Sequence, residues 1–114
     1  MAKIKLTSIK CNVPDEIDKD EMFLKYNGEK IWPTDSAFFR MDVDEKVDMN
    51  FEMEVPEGMV DIELWDFDYA SLNDHLGTFT IKVDEELGKF TSSMKRNERE
   101  TNSASYFLNW EIIE

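Results

Sequence analysis

The chain contains one cysteine, one histidine, four glycines and three prolines in 114 residues. A single cysteine excludes an internal disulfide, and nothing in the sequence has the paired Cys/His spacing of a zinc site. Cys11 therefore reads as a small, buried apolar residue. Positive charge is also scarce, with 13 basic residues against 26 acidic ones and a net charge of −13. That balance argues against nucleic acid, where clustered lysines and arginines must replace phosphate counterions. It equally opposes simple electrostatic docking on anionic lipid, unless a bound cation changes the local sign. No window approaches the roughly 20 apolar residues of a membrane span. The opening residues, Met1 to Thr7, lack the continuous apolar stretch of a secretion signal, so the cytoplasm is the simplest location. The lone histidine, His75, has no nucleophile or acid at triad spacing, and no enzymatic activity is expected.

What the chain does have is period-two alternation. Val47, Met49, Phe51, Met53 and Val55 alternate with polar residues, as do Val60, Ile62 and Leu64. Each run predicts a strand with one buried face. Ile4 and Leu6 open a strand running to about Cys11; Met22, Leu24 and Tyr26 make another, and Asn27-Gly28 is a hairpin signal leading into Lys30-Ile31-Trp32. Ala37 to Met41, Phe79 to Val83 and Tyr106 to Ile112 supply further short strands. The tryptophans read as core, although Trp32 beside Pro33 is also a candidate surface anchor. Residues 84–103 are polar without a clean period, which predicts a flexible excursion with a short helix near Glu85 to Leu87. With 41% hydrophobic residues, the expectation is a single all-β domain over 1–114, an antiparallel β-sandwich of seven to eight strands.

The segment Leu64 to Gly77 places Asp66, Asp68 and Asp74 between two apolar strands, so the three carboxylates are expected to share one loop tip. Crowded carboxylates repel each other, and a hard oxygen-seeking cation such as calcium relieves that repulsion. An EF-hand is excluded. Counting from Asp66, the fifth and sixth places hold Ala70 and Ser71, where an oxygen ligand and a glycine are required. A second acidic run, Asp15, Glu16, Asp18, Asp20 and Glu21, precedes the Met22 strand and could reach the same end of a sandwich.

Trp65, Asp66, Asp68, Ser71, Asp74, Leu76 and Gly77 fall on the pattern of the third calcium-binding loop of C2 domains. The chain thus resembles a short or divergent member of that calcium and phospholipid module, with His75 replacing one apolar residue of the pattern. The resemblance implies Ca2+ as cofactor. Asp66, Asp68 and Asp74 would be ligands, with the Phe67 carbonyl and Ser71 completing the shell. It draws further ligands from the first loop, where Asp15 and either Asp20 or Glu21 fit. Ile17, Tyr69 and Leu72 would meet a membrane or partner, either anionic phospholipid bridged by calcium or a protein. A non-catalytic adaptor sandwich, with calcium absent or only structural, is the alternative. His75 could tune the loop with pH or simply begin a strand.

Overall fold

The computed structural model describes residues 1–15, 19–70, 72–97 and 103–114. Two antiparallel sheets pack face to face, and every regular element among the described residues is a strand. The strands are β1 (Ala2–Val13), β2 (Asp20–Tyr26), β3 (Glu29–Trp32), β4 (Phe39–Met41), β5 (Lys46–Val55), β6 (Gly58–Asp66), β7 (Asp74–Val83), β8 (Gly88–Ser93), β9 (Lys95–Arg96) and β10 (Ser105–Ile112). One sheet runs β5-β1-β10-β8. The other runs β3-β2-β6-β7-β9, with β4 also pairing β2. The β-sandwich expectation holds, with about ten strands in place of seven or eight.

Alternation builds the core directly. Ile4 and Leu6 of β1 and Tyr106, Leu108, Trp110 and Ile112 of β10 face Met22 and Leu24 of β2, Ile62 and Leu64 of β6 and Phe79 and Ile81 of β7. All are essentially excluded from water, which at about 25 cal/mol per Å² of apolar area is the main stabilising term. The alternating row of β5 is only half-buried at Val47, Met49, Phe51 and Met53, because β5 is a sheet edge with a neighbour on one side. Asn27 and Gly28 both take positive φ, 52° and 81°, which is the two-residue hairpin geometry that Asn-Gly favours.

Three expectations need correction. Residues 88–96 are not a loose excursion but β8, which pairs with β10, and β9, which pairs with β7; no helix forms near Glu85 to Leu87. The segment looks polar because β8 is an edge strand, satisfied by backbone pairing more than by burial. Trp32 is not a surface anchor. It is 9% exposed, with its ring 5.7 Å from that of Phe39. Finally, only Asp68 belongs to a connecting loop. Asp66 ends β6 and Asp74 begins β7, as directly opposed residues of the ladder.

Gly77 shows how tightly β9 closes the second sheet. A Cβ at this position would lie 2.5 Å from the Lys95 carbonyl oxygen and 2.6 Å from Met94 Cγ. Backbone cannot yield to such an overlap as a flexible side chain can. Gly77→Ala should cost about 1–3 kcal/mol, read as a lower urea midpoint; an unchanged midpoint would reject this account of the β7–β9 approach.

Candidate functional site

Of the acids singled out in sequence, Asp15, Asp20, Glu21, Asp66, Asp68 and Asp74 are described; they lie at one end of the sandwich, linked by backbone hydrogen bonds and ladder pairing. Glu21 N–H donates to Asp66 Oδ1 at 2.9 Å, and Phe67 N–H donates to the Glu21 carbonyl at 2.7 Å. Asp66 therefore ties β6 to the start of β2, consistent with its 2% exposure. Asp68 accepts from Ala70 N–H at 2.8 Å, while Asn73 Oδ1 accepts from Asp68 N–H at 2.9 Å. These two contacts tie Asp68 to Ala70 and to Asn73. Asp74, half-buried, stands opposite Asp66.

Asp20 has a different part. It is fully buried, and both carboxylate oxygens accept from Asp15 N–H, at 3.0 and 2.9 Å. Oδ2 also accepts a 2.6 Å bond from the Tyr106 hydroxyl, which joins strands of the two sheets across 86 residues of sequence. Burial, then the Asp20 charge, push the Tyr106 hydroxyl far above its ordinary range, so it remains a proton donor. Asp15 Oδ1 in turn accepts from Ser103 N–H at 3.3 Å. Asp20 is thus a clamp between Asp15 and Tyr106.

Glu21 differs from its neighbours. Its Oε2 is buried without a hydrogen-bond partner among the described residues. An acceptor-only atom in that condition carries a desolvation cost of about 1–3 kcal/mol or more. Between Asp20 and Glu21, then, Glu21 is the residue with an oxygen left for a ligand. Among the described residues no three acidic, cysteine or histidine side chains are grouped tightly enough to hold a metal. The carboxylates of Asp20, Asp66 and Asp68 are turned instead toward backbone N–H groups. Ser71 and Ile17, along with Glu16 and Asp18, lie outside the described residues.

An aromatic group flanks the acids. The rings of Phe38 and Phe67 lie 5.3 Å apart, with Tyr69 edge-on 4.8 Å from Phe67. Tyr69 and Leu72 are 77% and 89% exposed. No protein-family model matches this chain, and no curated protein does either. The likeness therefore rests on the residues themselves. On the outer face behind the acids, Trp65 stacks on His75 at 4.9 Å, and Lys25 Nζ sits 4.3 Å over the Trp65 ring. His75 Nε2 contacts the Gly77 carbonyl at 3.0 Å. His75 is therefore a half-buried β7 residue, packed into the base of the loop.

Sequence reasoning missed Tyr106 and Phe38. Tyr106 is one more apolar place in an alternating strand, and only the folded chain sets its hydroxyl against Asp20. Removing that donor leaves a buried carboxylate short of one partner. Tyr106→Phe should therefore destabilise by about 1–3 kcal/mol, measured by chemical denaturation; a loss below about 0.5 kcal/mol would show that Asp20 does not depend on the Tyr106 hydroxyl. Beside it, burial pushes the Cys11 thiol up from 9.0 to about 11, with the Asp20, Asp42 and Glu45 charges adding and the Tyr106 hydroxyl partly offsetting. A raised folded-state value means the neutral thiol stabilises fully below pH 9.0, and that contribution is lost as pH rises toward 11. Native protein at pH 8 should resist iodoacetamide, whereas urea-unfolded protein should alkylate quickly; equal rates would refute the burial of this thiol.

Proposed function

We propose that the chain is a calcium-binding, C2-like module that attaches, when loaded, to an anionic phospholipid surface. The observation that carries this reading is the buried Glu21 Oε2, without a hydrogen-bond partner among the described residues, on a residue whose N–H is already bonded to Asp66. The donor set is all oxygen, which suits calcium over a transition metal. Asp15, Glu21, Asp66, Asp68 and Asp74 would hold the ion once their side chains drew together, since no three of them are grouped for a metal in the present arrangement, with the Phe67 carbonyl and Ser71 as supplementary ligands. Asp20 acts as a positioning residue, because its oxygens already serve Asp15 and Tyr106. Calcium supplies charge neutralisation and a bridge to phosphate oxygens. Tyr69 and Leu72 offer exposed apolar surface next to that bridge, which supports a membrane over a purely polar partner.

One observation favours the adaptor alternative. Asp20, Asp66 and Asp68 already accept hydrogen bonds from the protein, so these three carboxylates have partners without an ion. In that reading the half-buried edge strand β5 would meet a protein partner.

Calorimetry with calcium against a chelated control, alongside a thermal melt, separates the two. Calcium at a hundred times its Kd should add about 2.7 kcal/mol and raise the melting temperature by several degrees. Glu21→Gln should remove that rise without lowering the melt in chelator, since Oε2 accepts no hydrogen bond among the described residues that the substitution would break. A wild-type melt unmoved by millimolar calcium would sink the calcium reading. Calcium-dependent pelleting with phosphatidylserine vesicles, weakened in Tyr69→Ala plus Leu72→Ala, tests the lipid part; no pelleting would leave the adaptor.

A further inference from the structure

The outer face of the β5-β1-β10-β8 sheet carries a feature that owes nothing to the acidic loops. β1 is irregular between Leu6 and Ser8 against both neighbours, leaving Thr7 without a register partner. On β5 the same irregularity spans Phe51 to Asp48, and Asn50 sits at φ 50°. Paired irregularities of this kind bend a sheet and re-aim its side chains. A depression of about 430 Å³ opens there, and three lysines from three different strands, Lys5, Lys46 and Lys89, line it.

In a chain with twice as many acids as bases, such convergence needs explaining. Glu111 is the one acidic residue of the lining, so three ammonium groups and one carboxylate leave a net charge of +2. Register places Glu111 between Lys5 and Lys89, and Glu52 opposite Lys5. Yet Glu52 closes on Lys3 at 3.3 Å, and among the described residues Lys5, Lys46 and Lys89 form no ion pair. Lys46 also stands directly opposite Lys10, a like-charge pairing that destabilises an antiparallel ladder. The floor sets the stacked rings of Phe90 and Trp110 beside a polar row. Thr91 Oγ1 donates to Asn109 Oδ1 at 2.6 Å, and Asn109 Nδ2 donates to Ser8 Oγ at 2.9 Å.

We propose that this depression is a binding site for a phosphate monoester, held by Lys5, Lys46 and Lys89 over the Thr7, Asn109 and Thr91 floor. A phosphate monoester carries about −1.5 to −2 charges at neutral pH, which matches the net +2 of the lining, whereas a carboxylate would leave a lysine unmatched. Three acceptor oxygens meet three ammonium donors in charge-assisted bonds. Thr7, Asn109 and Thr91 suit the hydroxyls of a sugar or glycerol carrying the phosphate. Glu111 limits the site to a dianion and disfavours more highly charged polyanions. None of the carboxylates assigned to calcium takes part, so the two sites stand or fall separately.

The test is an amide chemical-shift titration of the ¹⁵N-labelled full chain, in chelator, with glucose 6-phosphate and with glucose as control. Saturable shifts at Thr7, Ser8, Thr91 and Asn109 are expected with the ester and not with glucose. Lys46→Gln plus Lys89→Gln should weaken binding at least about tenfold with the melting temperature unchanged. Glu111→Gln, which removes the one opposing charge, should tighten it. A parallel arm uses phosphatidylcholine vesicles containing phosphatidic acid, the same monoester on a lipid. Binding there as well identifies a headgroup, and binding to the soluble ester alone identifies a small-molecule ligand. Failure of both ester and vesicles, equal response to glucose, or undiminished binding by the double variant would overturn the proposal.

Discussion

The bond from the Tyr106 hydroxyl to the buried Asp20 carboxylate is the constraint on which the loop end of this sandwich depends. Tyr106 belongs to one sheet and Asp20 to the other, so the contact closes the apolar interior where the strands run out. A carboxylate can be buried only if its oxygens are satisfied. Asp20 meets that condition with Tyr106 on one side and the Asp15 backbone on the other. The same bonds that remove the cost of burial therefore set the position of Asp15.

From that fixed point the other acids follow in order. Glu21 is adjacent to Asp20 in β2, its N–H held by Asp66 and its carbonyl by Phe67. Asp66 faces Asp74 across the ladder. Glu21, Asp66 and Asp74 are thereby carried on strand ends, although no three acidic side chains among the described residues are grouped tightly enough for a metal. Asp20, Asp66 and Asp68 accept backbone N–H bonds. Glu21 retains an unpaired buried oxygen, and this difference between neighbours gives the calcium reading its footing.

Charge is distributed with equal consequence on the other sheet. There Glu52, Lys5, Glu111 and Lys89 alternate along one row across four strands, yet Glu52 closes on Lys3, and Lys5 and Lys89 form no ion pair among the described residues. The irregularity at Thr7 and Asn50 breaks the pattern in the next. Lysines that an ideal ladder would have matched with acids converge instead on a polar hollow. A protein of strong net negative charge can thus present a local cationic surface, because interactions at contact distance outweigh a screened long-range field.

By itself the sequence determined the all-β class, most strand positions, the Asn27-Gly28 hairpin and the residue types of the acidic group. Each of these is a local property: period-two alternation, a turn dipeptide, the spacing of carboxylates. It did not disclose β8, because an edge strand owes its existence to backbone pairing with β10 and needs little apolar pattern of its own. Nor could it assign Asp20 and Glu21 their separate parts, since adjacent residues on a strand point to opposite faces and the phase was ambiguous at the strand's first turn of the ladder. Tertiary structure decided that Asp20 meets Tyr106, that Asp66 and Asp74 oppose each other within the sheet, and that Lys5, Lys46 and Lys89 share one hollow. These are contacts between strands far apart in sequence, set by register and bulges, and no local pattern encodes them.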